Sequence, residues 1–557
     1  MPEMLRGLMQ DLPLQISALI RYGANINGGR ELVSRQPDGA LFRYTFAEAE
    51  VRSRRLAKGL ERLGVKQGDR VASLAWNTHR HFEMFYGVTG MGAVLHTLNP
   101  RLWEEQLIYI VGHAEDRVLM FDPDLLDLVV RLAPQMPSVE HYVMLAPREA
   151  LPKDAPIAIT SYEDVLADDD YDWPLFDEQA ASILCYTSGT TGMPKGVLCS
   201  HRSTVIHTLC AQSPLAFGLT PRETVLLVVP MFHAYGWSLP FVCAISGTKL
   251  VLPGAAPTPQ TIVDMIHAEE ATLATGVPTV WTGVFDNLDA TGRDLGPLKR
   301  ALIGGSAMPP AMRRRLRDQY GVEPVTGWGM TEMSPLGSFT STTPEIEALP
   351  AAERDEALGR AGRVIFPVEV KTVDVSGKPT PRDGVTAGDI WVRGPCVASG
   401  YFKGEGGKRL DDDGWFPTGD VGVIDQHGIV AITDRSKDLI KSGGEWISST
   451  DLERAAADCP GVAQAAGDRG CAPQWQERPI MLVTCVRGAG CSTDAVMAAM
   501  KAKLARWQLP DDVVIVDDLP LTATGKIDKK LLRERFQDHL MAAGAPQAAA
   551  RSGAHGE

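Results

Sequence analysis

Short apolar runs alternate with helical patterns along the first four hundred residues of the chain. One apolar run at 70–75 is followed by a helical pattern from 79 to 90 and by a second apolar run at 93–97. Further apolar runs lie at 224–229 and 249–252. Strands that alternate with helices are typical of an α/β domain with largely parallel sheets. The pattern therefore predicts a large, multi-sheet α/β domain.

The alternation stops near 434–438, and a smaller unit with mixed patterns follows. Its predicted elements are a helix at 449–458, a strand at 480–485, a helix at 493–507 and a strand at 512–516. The last residues are mostly small or polar, which is typical of disorder. We therefore predict an N-terminal domain over 1–433, a small α+β C-terminal domain over 434–540 and a disordered tail over 541–557.

Length and charge narrow the possible functions. The 557 residues exceed what one compact core holds, which favours two or more domains. The 55 basic and 69 acidic side chains give a net charge of −14, which argues against nucleic-acid binding and against an anionic membrane surface. No apolar run reaches the roughly 18 residues that cross a bilayer, so no transmembrane segment is predicted.

The cysteines and the N-terminus predict a cytoplasmic protein. Nine cysteines are scattered from Cys185 to Cys491 without a CxxC pair, so we expect reduced, mostly packed thiols and no zinc site. The first residues carry an acid early and lack the layout of a signal peptide.

The segment Tyr186–Gly196 concentrates hydroxyl residues, glycines and one lysine between two predicted strands. Glycine-rich turns expose N–H groups that bind phosphate oxygens, and Lys195 adds a cation. The segment departs from the common Gly-Lys-Ser/Thr loop because Gly196 follows Lys195. By composition alone, a solvated hairpin loop remains the alternative. The candidate ATP-binding residues here are Thr187, Ser188, Gly189, Thr190, Thr191, Gly192 and Lys195.

This eleven-residue segment resembles the phosphate-binding signature of the adenylate-forming superfamily, which includes acyl-CoA synthetases, peptide-synthetase adenylation domains and luciferases. Four further segments resemble the same superfamily in the same order, so that the resemblance covers almost the whole chain. It implies a large domain that binds ATP and an acid, followed by a small mobile lid domain.

Two of these segments surround the expected adenine. In Gly327–Glu332, the resemblance implies that Trp328 lies against adenine, that Gly329 and Thr331 contact the nucleotide and that Glu332 holds Mg²⁺. A carboxylate is a hard oxygen ligand suited to that ion. The family usually has Tyr where this chain has Trp328. The segment 301–309 resembles a strand and glycine turn that line the adenine and acyl pockets. Its assigned residues are Gly304 on the acyl side and Gly305, Ser306 and Ala307 on the ATP side.

Two later segments supply the ribose contacts and the catalytic lysine. Trp415–Asp420 resembles the segment whose aspartate accepts hydrogen bonds from ribose, and an ionised carboxylate is an acceptor suited to a diol. The resemblance makes Arg435 a second ribose contact. Pro520–Asp528 resembles the loop that carries the catalytic lysine, which assigns that role to Lys526.

The acyl and coenzyme A segments point to a subgroup. Val229–Trp237 resembles the acyl-binding segment of fatty acyl-CoA synthetases, which implies that His233 orients the carboxylate and that Trp237 gates the acyl tunnel. Tyr235 stands where those relatives often have Asn. The segment 438–447 resembles the acyl-CoA ligase sequence that meets coenzyme A, preceded by a hinge at Lys437. Its candidate coenzyme A contacts are Ser442, Gly443, Gly444 and Trp446.

The resemblance therefore implies an ATP-dependent acid–CoA ligase that uses ATP, Mg²⁺ and coenzyme A. Its substrate would be a small carboxylic acid, either a medium-chain fatty acid or a methylmercaptopropionate-like acid, since 328–336 also resembles those ligases. A homodimer is expected from the family. The alternatives are a ligase that loads a carrier-protein thiol, a ligase for aryl acids and a non-catalytic protein on the same fold.

Overall fold

The computed structural model describes residues 5, 7–187, 193–435, 437–442, 445–472, 476–486, 490–522, 526–536 and 539–543. The chain divides into two compact units. The first comprises the residues up to 370 together with 392–416 and 427–430. The second comprises 371–391, 417–426 and the residues from 431 onward.

Two large sheets form the centre of the first unit. Its strands are β1 (Glu31–Arg35), β2 (Leu41–Thr45), β3 (Arg70–Leu74), β4 (Val94–Leu98), β5 (Val118–Phe121), β6 (His141–Met144), β7 (Ile159–Ser161), β8 (Ala181–Thr187), β9 (Lys195–Ser200), β10 (Thr224–Leu226), β11 (Lys249–Leu252), β12 (Leu273–Gly276), β13 (Arg300–Ile303), β14 (Glu323–Gly329), β15 (Leu336–Phe339) and β16 (Arg363–Val364). One sheet has the order β7-β6-β5-β3-β4-β8-β9, and the other has the order β16-β15-β14-β13-β12-β10-β11-β1-β2.

The interior of both sheets is parallel. In the first sheet only the β8–β9 pair is antiparallel among the described pairings. In the second, parallel pairing runs from β14 to β1, and antiparallel strands lie at both edges. The α/β fold class predicted from the sequence is confirmed.

Helices connect and flank these strands. They are α1 (Ile16–Asn27), α2 (Phe46–Arg62), α3 (His79–Gly90), α4 (Glu104–Ala114), α5 (Leu126–Leu132), α6 (Tyr162–Val165), α7 (His201–Ala211), α8 (Leu239–Ser246), α9 (Pro259–Ala268), α10 (Pro278–Thr291), α11 (Pro310–Arg314), α12 (Pro344–Glu347) and α13 (Ala351–Gly359). Side-chain hydrogen bonds help to determine where these helices begin. The Thr45 hydroxyl accepts the Glu48 N–H while the Glu48 carboxylate accepts the Thr45 N–H, a capping box that begins α2.

The second unit contains two smaller sheets. Its strands are β17 (Glu369–Val373), β18 (Gly388–Arg393), β19 (Phe416–Ile424), β20 (Val430–Arg435), β21 (Ile440–Ser442), β22 (Glu445–Ile447), β23 (Val462–Ala472), β24 (Gln476–Cys485) and β25 (Asp512–Ile515), and its helices are α14 (Ser449–Ala457), α15 (Thr493–Lys501), α16 (Lys529–Phe536) and α17 (His539–Ala543). β17 to β20 form one sheet in chain order. The other has the order β22-β21-β24-β23, with β25 beside β24.

Two expectations need correction. The helix predicted over 493–507 ends at Lys501, because Ala505 has an extended backbone (φ −65°, ψ 149°) and Arg506–Gln508 form a separate 3₁₀ turn. The cysteines are not all reduced: Cys485 and Cys491 form a disulfide, with their Cα atoms 5.7 Å apart, within the range that a disulfide spans.

Two further findings concern the C-terminus and the membrane. Residues 541–543 of the predicted tail belong to α17, and the rest of the tail lies outside the described residues. Among the helices that the structure describes, none combines the length and the apolar character needed to cross a membrane.

Candidate active site

The predicted phosphate loop joins two antiparallel strands. Thr187 at the end of β8 pairs with Lys195 at the start of β9. The Thr187 hydroxyl also lies 3.5 Å from Lys195 O. The two ends of the loop are therefore adjacent, as a tight anion-binding turn requires. The remaining predicted residues of this loop, Ser188, Gly189, Thr190, Thr191 and Gly192, lie outside the described part of the chain.

The predicted adenine and metal residues follow one another at the end of β14. Trp328, which is partly buried, and the exposed Gly329 end this strand. Thr331 and Glu332 begin the next short 3₁₀ turn, and both are buried. Backbone geometry fixes this turn, because Ala398 N–H donates to Glu332 O at 2.8 Å.

A tyrosine that the sequence analysis did not assign links these two segments. The Tyr401 hydroxyl donates to Glu332 Oε1 at 2.7 Å. The Lys195 ammonium lies 5.2 Å from the centroid of the same tyrosine ring, in cation–π geometry. Lys195 and Glu332, which are far apart in sequence, therefore both contact the Tyr401 side chain.

The predicted acyl segment has an unusual backbone. Residues Ala234–Ser238 form a short turn in which every residue has positive φ, between 38° and 63°. Left-handed conformation costs non-glycine residues about 1–2 kcal/mol each. Such strain persists only where the surroundings fix the chain. The turn follows His233, which is partly buried, and it carries Trp237.

Trp237 reaches the end of β13. A Cβ atom placed on Gly304 would lie 3.0 Å from Cη2 of the Trp237 indole, so the ring covers this glycine closely. Gly304 is buried, whereas the next three predicted residues, Gly305, Ser306 and Ala307, are exposed. The structure therefore brings two of the predicted acyl-pocket residues into contact.

Two buried polar residues that the sequence analysis missed fix the acyl segment. Asn77 donates to Leu227 O and Val229 O at 2.7 and 2.9 Å, and its Oδ1 accepts the Met231 N–H at 2.7 Å. All three bonds end on residues 227–231, which follow β10 and precede His233. An asparagine in a loop after a strand carries no sequence signal for this role, since its partners lie more than a hundred residues away.

His207 connects the same turn to the segment after Glu332. Its Nε2 accepts the Leu336 N–H at 3.0 Å, so the proton resides on Nδ1, which donates to the Ser238 hydroxyl at 3.0 Å. Burial lowers the pKa of His207 to about 3, which keeps the ring neutral. A single histidine on an apolar helix face gives no sequence signal for a bridging role.

In the second unit, the two predicted ribose residues form an ion pair, and both affect the pKa of the predicted catalytic lysine. Arg435 Nε lies 2.8 Å from Asp420 Oδ1, and Asp420 is buried while nearly half of the Arg435 side chain is exposed. Burial lowers the pKa of Lys526 to about 8, and repulsion from Arg435 adds to this while Asp420 opposes it. Both predicted ribose residues therefore influence the charge of the predicted catalytic lysine.

The predicted coenzyme A segment is a hairpin between β21 and β22. Lys441 pairs with Trp446, and the buried Ser442 accepts a hydrogen bond from Arg478 at 3.1 Å. Gly443 and Gly444 lie outside the described residues, and only the backbone of Trp446 is described. The predicted hinge residue Lys437 lies in the turn between β20 and β21, where Asp438 and Leu439 N–H groups donate to Arg435 O.

Glu332 suits the metal role expected of it. Its Oε1 is occupied by Tyr401, and Oε2 accepts no hydrogen bond from any described residue. One free carboxylate oxygen fits Mg²⁺, which keeps several waters and takes its other ligands from substrate phosphates. No cluster of three or more His, Cys, Asp or Glu side chains forms a metal cage in the described part of the chain.

Two family models match the chain. A model of the AMP-binding enzyme family matches residues 24–402, and a model of the AMP-binding enzyme C-terminal domain matches residues 451–526.

Curated relatives align over nearly the whole chain. It is 44% identical to a 3-methylmercaptopropionyl-CoA ligase of Ruegeria lacuscaerulensis, over 96% of this chain and 99% of that protein. It is 41% identical to a medium-chain-fatty-acid–CoA ligase of Ectopseudomonas oleovorans, over 96% and 98%. Its fold is similar to the crystal structure of the anthranilate CoA ligase AuaEII in complex with anthranoyl-AMP, with a TM-score of 0.84 and 23% identity over 96% of this chain and 100% of that one.

Proposed function

Since the chain belongs to the AMP-binding enzyme family, we propose that it activates an unbranched aliphatic acid of medium length, with a thioether tolerated in the tail. The chain is an AMP-forming acid–CoA ligase, and ATP and coenzyme A are its co-substrates. We further propose the identity of the acid, the residues that bind it and the metal.

In the first step, a carboxylate oxygen of the acid attacks the α-phosphorus of ATP, and pyrophosphate leaves. Two anions must approach each other, so catalysis depends on charge neutralisation and positioning. Lys526 neutralises charge at the reacting carboxylate and α-phosphate, while Lys195 and Thr187 hold the departing phosphates. Trp328 stacks on adenine, and His233 orients the carboxylate.

Mg²⁺ is the metal we propose, bound through Glu332 Oε2 and substrate phosphates. It would supply positive charge to the phosphates as pyrophosphate leaves. The chain's own contribution is to hold Glu332 in place, through the Tyr401 hydroxyl on Oε1 and the Ala398 N–H on its carbonyl.

In the second step, the thiol of coenzyme A attacks the acyl carbonyl, and AMP leaves. The β21–β22 hairpin, with Ser442, Gly443, Gly444 and Trp446, is the segment we propose to lie along coenzyme A. Lys437 is the proposed pivot, because the small lid domain (434–540 by the sequence pattern) must present one face for adenylation and another for thioester formation.

The contact between Trp237 and Gly304 carries the proposal on the acid. An indole that closes against a buried glycine gives an apolar wall of fixed depth where the acyl chain is expected. The side chains of Met231 and Tyr235 are buried around the same turn, so the surroundings are apolar too. An aliphatic tail is favoured in such a pocket, because buried polar groups of the acid would lack partners. One relative is named a 3-methylmercaptopropionyl-CoA ligase and another a medium-chain-fatty-acid–CoA ligase, and the acids in both names have tails of this kind.

A panel of acids tests the substrate class. Straight-chain acids from two to sixteen carbons, 3-methylmercaptopropionate, a branched acid and benzoate are compared by kcat/KM for AMP release with coenzyme A. We expect a maximum among medium straight chains and the thioether acid. A maximum at benzoate or at the longest acids would overturn the proposal.

Product analysis separates the competing acceptors. The mass of the acylated product is measured after incubation with coenzyme A and, separately, with an acyl carrier protein. We expect acyl-CoA alone, whereas preferential acylation of the carrier protein would favour the alternative ligase. A cytoplasmic location and a homodimer complete the proposal.

A further inference from the structure

Tyr401 contacts a cation and an anion with different parts of one side chain. Its ring faces the Lys195 ammonium at 5.2 Å, and its hydroxyl donates to Glu332 at 2.7 Å. Burial, together with the charge of Glu332, raises the pKa of Tyr401, so the hydroxyl stays protonated and acts as the donor. Lys195 and Glu332 make no ion pair with each other, although both contact this tyrosine.

The segment that carries Tyr401 is built tightly against the start of β9. Gly406, five residues later, has φ of +74°, and a Cβ atom there would lie 3.0 Å from Lys195 Nζ. A Cβ atom on Gly196 would lie 3.0 Å from Phe402 Cβ. The segment Tyr401–Gly406 therefore fixes the position of the Lys195 side chain.

The charges around the ring point to a ligand. Arg409 Cζ lies 5.7 Å from the Tyr401 centroid, and its buried Nε has no hydrogen-bond partner. Neither Arg409 nor Lys195 pairs with a carboxylate in the described part of the chain. Two cations without counter-ions beside one aromatic ring are an arrangement suited to an anionic substrate.

We propose that Tyr401 is a positioning residue that holds Lys195 and Glu332 apart, so that the lysine remains available to ATP phosphates and Glu332 Oε2 remains available to the metal. Without the ring, a flexible lysine and a nearby carboxylate would pair with each other, which would neutralise both. This inference rests on the proposed function, because it assigns the two partners their roles in binding ATP and Mg²⁺.

Two variants separate the ring from the hydroxyl. Tyr401→Phe keeps the ring and removes the bond to Glu332. Tyr401→Leu removes both contacts. Tyr109→Phe is the matched control, since it removes a partly buried tyrosine hydroxyl of the same region, and that hydroxyl contacts Glu405 and neither Lys195 nor Glu332. ATP affinity is measured by titration calorimetry with and without Mg²⁺, in the absence of acid, and pyrophosphate exchange gives KM and kcat.

We expect Tyr401→Phe to bind metal-free ATP within about twofold of the wild type but to need several-fold more Mg²⁺ for half-maximal exchange. Tyr401→Leu should bind ATP about tenfold more weakly, with and without Mg²⁺. This is the size of effect expected when Lys195 loses its cation–π contact and forms a competing ion pair with Glu332. Tyr109→Phe should match the wild type in both. An unchanged Mg²⁺ requirement in Tyr401→Phe together with unchanged ATP affinity in Tyr401→Leu would overturn the proposal. A wild-type enzyme without acid-dependent exchange would instead overturn the proposed function.

Discussion

The Trp237 indole lies so close to Gly304 that a methyl group on the glycine would stand 3.0 Å from the ring. The contact joins the left-handed turn Ala234–Ser238 to the end of β13, and it places a large flat side chain across the expected acyl pocket. The depth of the proposed acyl pocket would therefore depend on Trp237, which a strained backbone holds in place.

Trp237→Ala should allow the enzyme to accept longer or branched acids. Removing the indole opens space beyond Gly304, so the kcat/KM for longer or branched acids should rise relative to that for medium straight chains. The KM for ATP should stay nearly unchanged. The profile is measured by AMP release, with Trp103→Ala as control, because Trp103 is 80% exposed. An unaltered chain-length profile would leave Trp237 as a packing residue only.

Gly304→Ala should shift the profile in the opposite direction. A methyl group at 3.0 Å forces the indole away from β13 and into the pocket, since the neighbouring backbone is part of a sheet. Differences of one methylene are worth about 10–200-fold in selectivity. We therefore expect the preferred acid to become shorter by one or two carbons, measured with the same panel. A longer preferred acid would contradict this geometry.

The strands and helices near the site were largely predictable, but their ends were not. The predicted helix at 79–90 coincides with α3, and the predicted strand at 249–252 coincides with β11. The strand predicted at 224–229 stops at Leu226, because the N–H groups of Val228 and Val229 donate to the Thr275 hydroxyl and not to a neighbouring strand. Apolar periodicity cannot anticipate a side chain that ends a strand from elsewhere in the fold.

The residues that hold the site together escaped sequence analysis for a related reason. Motifs identify residues that contact a ligand, because such residues occur in short characteristic strings. Tyr401, His207 and Asn77 each form a hydrogen bond with a residue at least 69 positions away, and the sequence around each has no special composition. Their roles become visible only when distances and burial are known.

Lys526→Ala should separate the two half-reactions. Removing a charge aimed at developing charge costs about two to three orders of magnitude in rate. Overall turnover should fall by this factor, whereas purified acyl-AMP plus coenzyme A should still be converted at nearly the wild-type rate. Lys530→Ala is the control, because Lys530 lies in α16, four positions after Lys526, and its side chain is 63% exposed. Equal loss with supplied acyl-AMP would contradict the assignment.

The lowered pKa of Lys526 predicts the pH dependence of adenylation. A lysine is charged below its pKa, so a pKa of about 8 means that the charge is lost as the pH rises through 8, and not near its ordinary value. Acid-dependent pyrophosphate exchange should decline above about pH 8. Lys526→Arg, whose guanidinium stays charged, should lose this decline even if its rate is lower. A wild-type exchange rate that stays flat to pH 10 would rule out the titration of Lys526.

Lys437→Pro should preserve adenylation and abolish thioester formation, the opposite of the effect expected for Lys526→Ala. Proline fixes φ near −65°, whereas a pivot between two arrangements must change its backbone angles. The N–H groups that close this turn belong to Asp438 and Leu439, so proline at 437 leaves them intact. A folded variant should retain pyrophosphate exchange and lose acyl-CoA formation from acyl-AMP.

Lys437→Ala is the matched control for this variant, because it removes the side chain and leaves the backbone free. It should support both half-reactions. Normal thioester formation by Lys437→Pro, with an unchanged thermal transition, would exclude Lys437 as the pivot.

The central claim is that the acid is activated as an acyl adenylate before coenzyme A reacts. The most direct measurement is the exchange of labelled pyrophosphate into ATP by the wild-type protein, without coenzyme A, with and without a medium-chain acid. The account predicts exchange only when the acid is present, followed by equal amounts of AMP and acyl-CoA once coenzyme A is added. Exchange without an acid, or release of ADP and phosphate in place of AMP and pyrophosphate, would contradict it.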